Sequence, residues 1–91
     1  MIIEFRQIKN RSRLEIKAKI METIGENGAI QSKIMYNVYL SFIQMKKYLN
    51  TLQKKNLITF DDDIQIYKLT DKGTRFLVLY KKMTESVTMI K

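Results

Sequence analysis

Residues 33–58 read KIMYNVYLSFIQMKKYLNTLQKKNLI, and this stretch decides the fold. The apolar spacing across its first part predicts a short helix over about Gln31–Val38, followed by a tight turn at Tyr39–Leu40. Ser41 then begins a second helix, because Gln44 stands three residues later and completes a capping box. Two helices joined by so short a turn predict a helix-turn-helix.

The second helix of this pair is amphipathic and basic. Its apolar residues, Met45, Leu49 and Leu52, are spaced four and three apart, which predicts that this stripe is buried. Asn56 follows the last turn, and asparagine tolerates the left-handed conformation that ends many helices. The opposite side of the helix carries the polar and cationic residues Ser41, Gln44, Lys46, Lys47, Asn50, Thr51 and Lys54.

A β-hairpin follows the helix pair. Leu57–Phe60 and Ile64–Leu69 alternate apolar and polar residues as half-buried strands do, with Asp61–Asp63 as the predicted turn. Thr70 is a candidate cap for a last helix that runs from about Asp71 to near the C-terminus. Gly73 in its first turn is predicted to be tolerable but unhelpful, since glycine lowers helix propensity.

The helix before this pair begins at a second capping box, Ser12 with Glu15, and Gly25 ends it. Residues 1–10 suit either a short strand or the first turns of a helix. The predicted fold class is mainly α with a small β-hairpin (α+β). It is a winged helix-turn-helix over residues 1–70, with a basic N-terminal segment, and a C-terminal dimerisation helix over residues 71–91.

Composition points to an anionic polymer as partner. The chain has a formal net charge of +8, and residues 1–60 contain eleven Lys and Arg against four Asp and Glu. Cysteine and histidine are absent, which excludes disulfides and thiolate zinc sites and removes the commonest general base. No apolar run is long enough to span a bilayer. We therefore expect a cytoplasmic, nucleoid-associated protein that is not an enzyme and needs no cofactor, metal or small-molecule substrate.

The basic residues admit two interpretations. The outer side of the second helix in the pair is either a solvated surface or a DNA-reading face, since Gln and Asn pair with adenine while Lys reaches guanine or phosphate. The N-terminal basic cluster comprises Arg6, Lys9, Arg11, Arg13, Lys17 and Lys19. It is either an arm that grips phosphates or the exposed side of the first helix. Within that cluster, Arg11 and Arg13 are the strongest candidates for DNA contacts.

The three carboxylates of Asp61–Asp63 also admit two interpretations. They could bind a divalent cation, as a nuclease site requires, but no histidine accompanies them. An Asp-rich β-turn is the simpler interpretation and is preferred. Such a tip would repel phosphates, so we expect it to stay off DNA or to contact something else.

The last helix carries a heptad-like seam. Phe76, Tyr80, Met83, Val87 and Ile90 are separated by four, three, four and three residues, as in a coiled coil. This stripe either packs back on the first helix or binds a second copy of the chain. Because Leu77 and Leu79 already offer an inward-facing surface, we predict a homodimer through this helix.

Six short motifs stand out along the chain: Arg11–Ile16, Lys33–Tyr36, Leu40–Phe42, Tyr48–Leu49, Asn56–Ile58 and Tyr67–Gly73. In order and spacing they resemble those of an archaeal family of small winged-helix DNA-binding proteins and predicted transcriptional regulators, which includes the "ten-a" proteins of hot-acid archaea. The resemblance implies a winged helix, double-stranded DNA binding and a dimer built from an antiparallel coiled coil. Val38–Tyr39 and Asn56 depart from the family pattern near the helix-turn-helix.

Two functions remain open at this point. One is a dimeric DNA-binding protein, either a transcriptional regulator or a chromatin-associated protein, with its basic helix in the major groove. The other is a winged helix that binds proteins and has little affinity for DNA, which the acidic hairpin tip favours.

Overall fold

A computed structural model of the protein describes residues 12–90, with side chains for residues 12–85. Within residues 12–90, four helices and one antiparallel hairpin follow one another. They are α1 (Arg13–Ile24), α2 (Gln31–Val38), α3 (Phe42–Lys54), β1 (Ile58–Asp61), β2 (Ile66–Leu69) and α4 (Asp71–Ile90). The predicted α+β winged helix-turn-helix is confirmed.

Both predicted capping boxes are present. The Ser12 hydroxyl accepts the Glu15 N–H at 3.0 Å, and the Glu15 carboxylate accepts the Ser12 N–H at 2.9 Å. Reciprocal bonds of this kind satisfy two backbone donors that the first turn of a helix leaves unpaired. Gly25 ends α1 with φ +56°, as the sequence predicted.

One hydrophobic core holds these elements together. The predicted stripe of Met45, Leu49 and Leu52 is completely buried, which fixes the inner side of α3. Leu77 of α4 belongs to the same core, so the beginning of α4 packs as part of the winged domain. The other members are Ala18, Ile20, Met21, Ile24, Ala29, Ile34, Val38, Leu57, Ile58 and Tyr67.

The hairpin, or wing, is shifted relative to its prediction. The register pairs Ile58 with Leu69 and Asp61 with Ile66, so the turn comprises residues 62–65. Ile64 therefore lies in the turn and is half exposed, whereas the sequence analysis placed it in the second strand. Gln65 has φ +57° and closes the turn just before β2. The alternation of apolar residues located the strands but did not resolve where they end.

A third, single-residue strand completes the sheet. The backbones of Ala29 and Tyr67 exchange two hydrogen bonds, of 3.0 and 2.9 Å, on the edge of β2 that β1 leaves open. Gly28 beside them has φ +82°, and a Cβ there would lie 2.6 Å from the Ile66 side chain. Only glycine allows this approach, so the segment between α1 and α2 is held against the wing.

Gly73 has a structural role that the sequence analysis missed. A Cβ at this position would lie 2.0 Å from the carbonyl oxygen of Leu57, so the helix touches the start of the wing backbone to backbone. The adjoining cap is as predicted, because the Thr70 hydroxyl accepts the Gly73 N–H at 2.9 Å. The same hydroxyl donates to the Asn56 carbonyl at 2.6 Å. The prediction that this glycine is merely tolerated was wrong, since the contact requires it.

We therefore expect Gly73→Ala to lower the free energy of unfolding by about 2 kcal/mol, even though alanine favours helices, because overpacking outweighs propensity. Urea denaturation followed by circular dichroism measures the change. Thr74→Ala, on an exposed side of the same turn, is the matched control and should be neutral or slightly stabilising. Equal stability of Gly73→Ala and the wild type would contradict the close contact.

Candidate nucleic-acid interface

The outer side of α3 is exposed and polar, as the sequence predicted. Ser41, Gln44, Lys47, Asn50 and Lys54 are exposed, and Lys46 and Thr51 are partly buried. Because the opposite side is locked in the core, this surface cannot rotate away from solvent without unfolding the domain. A basic helix held in this way can present donors and charges to a rigid ligand such as duplex DNA.

The side chain of Gln44 is engaged by the cap of its own helix. Its Oε1 accepts the Ser41 N–H and the Ser41 hydroxyl, both at 3.2 Å, and the Ser41 hydroxyl accepts the Gln44 N–H at 3.2 Å. Pairing with adenine needs both an acceptor and a donor of the amide. Gln44 therefore has to release the cap before it can read a base in that way, whereas its Nε2 donors do not take part in the cap.

One cleft joins the start of α1 to one side of α3. It has a volume of about 500 Å³ and is lined by Arg13, Lys17, Gln44, Lys47, Tyr48 and Thr51. Four of these residues were predicted DNA contacts, and the structure brings them together. Three are cations and none is acidic, so the cleft suits a phosphate backbone. Lys46 and Lys54 do not line this cleft, and Arg11 lies outside the described residues.

Tyr48 was not predicted as a site residue, whereas Lys17 belongs to the N-terminal basic cluster but was not among its strongest candidates. Lys17 follows Arg13 by four residues, which places both on one side of α1, and this spacing was the available signal. Partial burial lowers the pKa of the Lys17 ammonium, and the positive charges of Lys55 and Arg13 lower it further. Lys17 is thus a cation whose surroundings favour the approach of an anion.

Apolar residues are exposed around the turn between α2 and α3. Tyr36 and Tyr39 are 80% and 72% exposed, and Phe42 and Ile43 are also exposed. Tyr39 takes φ +59° in the turn itself, which directs the chain from one helix to the next. Ile43 precedes Lys47 by one helical turn, on the same outer side of α3. Apolar side chains at such a position can contact the methyl group of thymine.

The acidic tip of the wing is organised as a turn. The Asp61 carboxylate accepts the Asp63 N–H at 3.0 Å, and the Gln65 side chain donates to the Asp62 carbonyl at 2.8 Å. An aspartate that accepts the N–H two residues later is a common turn motif. Among the residues that the structure describes, no three acidic side chains converge as metal ligands would.

The residues of the predicted dimer seam on α4 differ in how far their own domain covers them. Phe76 and Tyr80 are partly buried against the core of their own domain, whereas Met83 is 58% exposed. Leu79 was expected to face inward, and this was wrong, because its side chain is 63% exposed. Helical spacing explains the difference. Leu79 lies two residues after Leu77, just over half a helical turn, and therefore on nearly the opposite side of α4 from the side that meets the core. The side chains of Val87 and Ile90 lie outside the described part.

Over the described residues, no helix is both long and apolar enough to cross a membrane.

Comparison with known proteins identifies the family. A family profile described as winged helix-turn-helix matches residues 10–88, which is most of the chain. Among solved structures, Sso10a-2, a DNA-binding protein from Sulfolobus solfataricus, is similar with a TM-score of 0.67 and 22% sequence identity over 88% of each chain. No curated protein matches the sequence. These matches confirm the resemblance seen in the sequence, and the chain belongs to the winged helix-turn-helix family.

Proposed function

We propose that this protein is a dimeric double-stranded DNA-binding protein that inserts α3 into the major groove. The observation that carries the proposal is the cleft that Arg13 and Lys17 of α1 line together with Lys47 of α3, with no acidic residue in its lining. In this arrangement α1 would contact backbone phosphates of the DNA, and α3 would reach base edges in the major groove. The similar Sulfolobus protein is a DNA-binding protein, which supports the same assignment.

Within this proposal the chain acts as a transcriptional regulator or as a chromatin-associated protein of the nucleoid. The ratio of specific to non-specific affinity at one salt concentration separates these two roles. Competition between defined fragments and mixed genomic DNA measures that ratio. The proposal assigns no catalytic step to the chain.

We expect Lys47→Ala to weaken duplex binding several-fold and to reduce the slope of log affinity against log salt by about one, because one phosphate contact is lost. Fluorescence anisotropy at several salt concentrations measures both. Lys82→Ala removes the same charge from an exposed position on α4 and is the control. Equal effects of the two variants would mean that α3 contributes only net charge.

Gln44 offers a test of base reading. Because its amide is tied to the cap, Gln44→Ala removes both the cap partner and a candidate base contact, whereas Gln44→Glu retains a side chain that completes a capping box. We expect Gln44→Glu to keep the helix stable and to alter the preference among DNA sequences. Selection from a random duplex library would detect the change, and an unaltered preference would remove Gln44 from base recognition.

The acidic wing tip provides an independent test. Replacing Asp61, Asp62 and Asp63 with asparagine keeps a side-chain oxygen that can accept the Asp63 backbone N–H and therefore preserves the turn. We expect DNA affinity to rise at low salt, and to change little at high salt, because like-charge repulsion is removed and salt screens it. Loss of DNA binding would contradict the proposal and favour a contact between the wing and another protein.

We further propose that residues 71–91 join two copies of the chain, while residues 1–70 bind DNA. Met83 and Leu79 leave an apolar surface on α4 uncovered, and Val87 and Ile90 continue the heptad spacing. Phe76 and Tyr80 would lie at the edge of this contact, since each already packs partly on its own domain. A two-fold dimer would place two α3 helices against successive half-sites.

Met83→Glu should therefore shift the protein towards monomer and weaken DNA binding, because two linked contacts become one. Val78→Glu introduces the same charge at an exposed apolar residue on another side of α4 and should leave the dimer intact. Sedimentation velocity at micromolar concentration distinguishes the variants. A monomeric wild type under these conditions would contradict the proposed dimer.

A second function, a winged helix that binds proteins, is favoured by a different observation. Tyr36, Tyr39, Phe42 and Ile43 expose apolar surface around the helix-turn-helix. Exposed aromatic residues are enriched at protein interfaces. This alternative predicts that duplex binding is weak and disappears at moderate salt, so the salt titration of the wild type decides between the two functions.

A further inference from the structure

A second cleft lies between α1, the end of α3 and the start of α4. It has a volume of about 330 Å³. Its lining combines five apolar side chains with three lysines and contains no acidic residue. The lining residues are Leu14, Lys17, Met21, Leu52, Lys55, Leu57, Lys72 and Phe76.

The apolar part of this cleft is continuous with the core. Met21 and Leu52 are completely buried and Leu57 is 7% exposed, so they support the side chains above them but offer almost no surface to a ligand. Leu14 is 42% exposed and Phe76 is partly buried, and these two side chains form walls that solvent still reaches. An apolar group placed between them would cover surface that the chain itself leaves wet.

The three lysines are crowded at the rim. The Lys72 ammonium donates a hydrogen bond to the backbone carbonyl of Lys55 at 3.0 Å, which keeps it beside the end of α3. Burial lowers the pKa of the Lys17 ammonium, and the positive charges of Lys55 and Arg13 lower it further. Neither the Lys55 nor the Lys72 side chain has a carboxylate partner among the described residues. An anion at the rim would relieve this repulsion.

We propose that this cleft binds a small amphipathic carboxylate, with its anionic group among Lys17, Lys55 and Lys72 and its hydrocarbon part between Leu14 and Phe76. The charge of the rim favours a negative head group, and the surfaces of Leu14 and Phe76 that solvent reaches favour an apolar tail. With a volume of about 330 Å³, the cleft lies at the small end of the range for small-molecule sites, which suits a short hydrocarbon tail. The site goes beyond the proposed DNA-binding function and does not depend on it.

The test uses octanoate as the probe and the full chain without DNA. We expect octanoate to shift the backbone amide resonances of Lys17, Leu52, Lys55 and Lys72 in a saturable titration. Two matched compounds separate the contributions of head group and tail. Acetate lacks the tail and 1-octanol lacks the charge, and each should bind at least tenfold more weakly than octanoate.

Variants then locate the head group. Lys17→Gln and Lys55→Gln should each weaken octanoate binding about fivefold, as expected for loss of one partly exposed charge contact. Lys82→Gln, an exposed lysine that does not line the cleft, should bind octanoate as the wild type does. All three positions are solvent-accessible, so the variants should remain folded, and the amide spectrum itself verifies this.

Three results would overturn the proposal. Equal binding of 1-octanol and octanoate would mean that the lysines play no part, and resonance shifts confined to other regions would place the ligand elsewhere. Changes in the amide resonances of the cleft with protein concentration alone would assign the cleft to a second copy of the chain.

Discussion

The position of the wing depends on two hydrogen bonds between the backbones of Ala29 and Tyr67. Both residues are buried, and an unpaired peptide group there would cost about 1–3 kcal/mol, so the bridge strongly favours one arrangement of hairpin and helices. The ring of Tyr67 packs on that of Phe60 with 4.6 Å between centroids, which extends the same restraint to β1. Because β1 follows α3 closely, the bridge also limits how α3 can tilt against α1 and α2.

Because α3 is held in place, the cations of α1 and α3 have fixed positions relative to one another. Lys17 lines two clefts, one that it shares with Lys47 and one that it shares with Lys55. A single ammonium therefore faces two possible anions, one on each side. Occupation of either cleft would change the field at the other, and thermodynamic linkage requires such an effect to be mutual.

Interactions between residues close in sequence could be predicted from the sequence, whereas contacts between distant residues could not. The pairs Ser12–Glu15 and Ser41–Gln44, and the left-handed Asn56, depend on neighbours within a few residues, and each lies where the pattern predicted. The requirement for Gly73 comes from Leu57, sixteen residues away, and no spacing rule contains it. Leu79 was misplaced because periodicity identifies an apolar helix side without stating how much of it the core covers. The position of Lys17 in the cleft with Lys47 likewise depends on where α1 lies relative to α3, which the sequence does not state.

The close contact between Gly73 and Leu57 has a geometrical consequence for the far end of α4. The helix contains 20 residues and is therefore about 30 Å long, and Gly73 lies near the end at which it joins the domain. A rotation of the whole helix by about 10° at Gly73 would displace its other end by about 5 Å, roughly the rise of one helical turn. The absence of a side chain at Gly73, together with the burial of Leu77, thus fixes the direction of the helix relative to the rest of the domain.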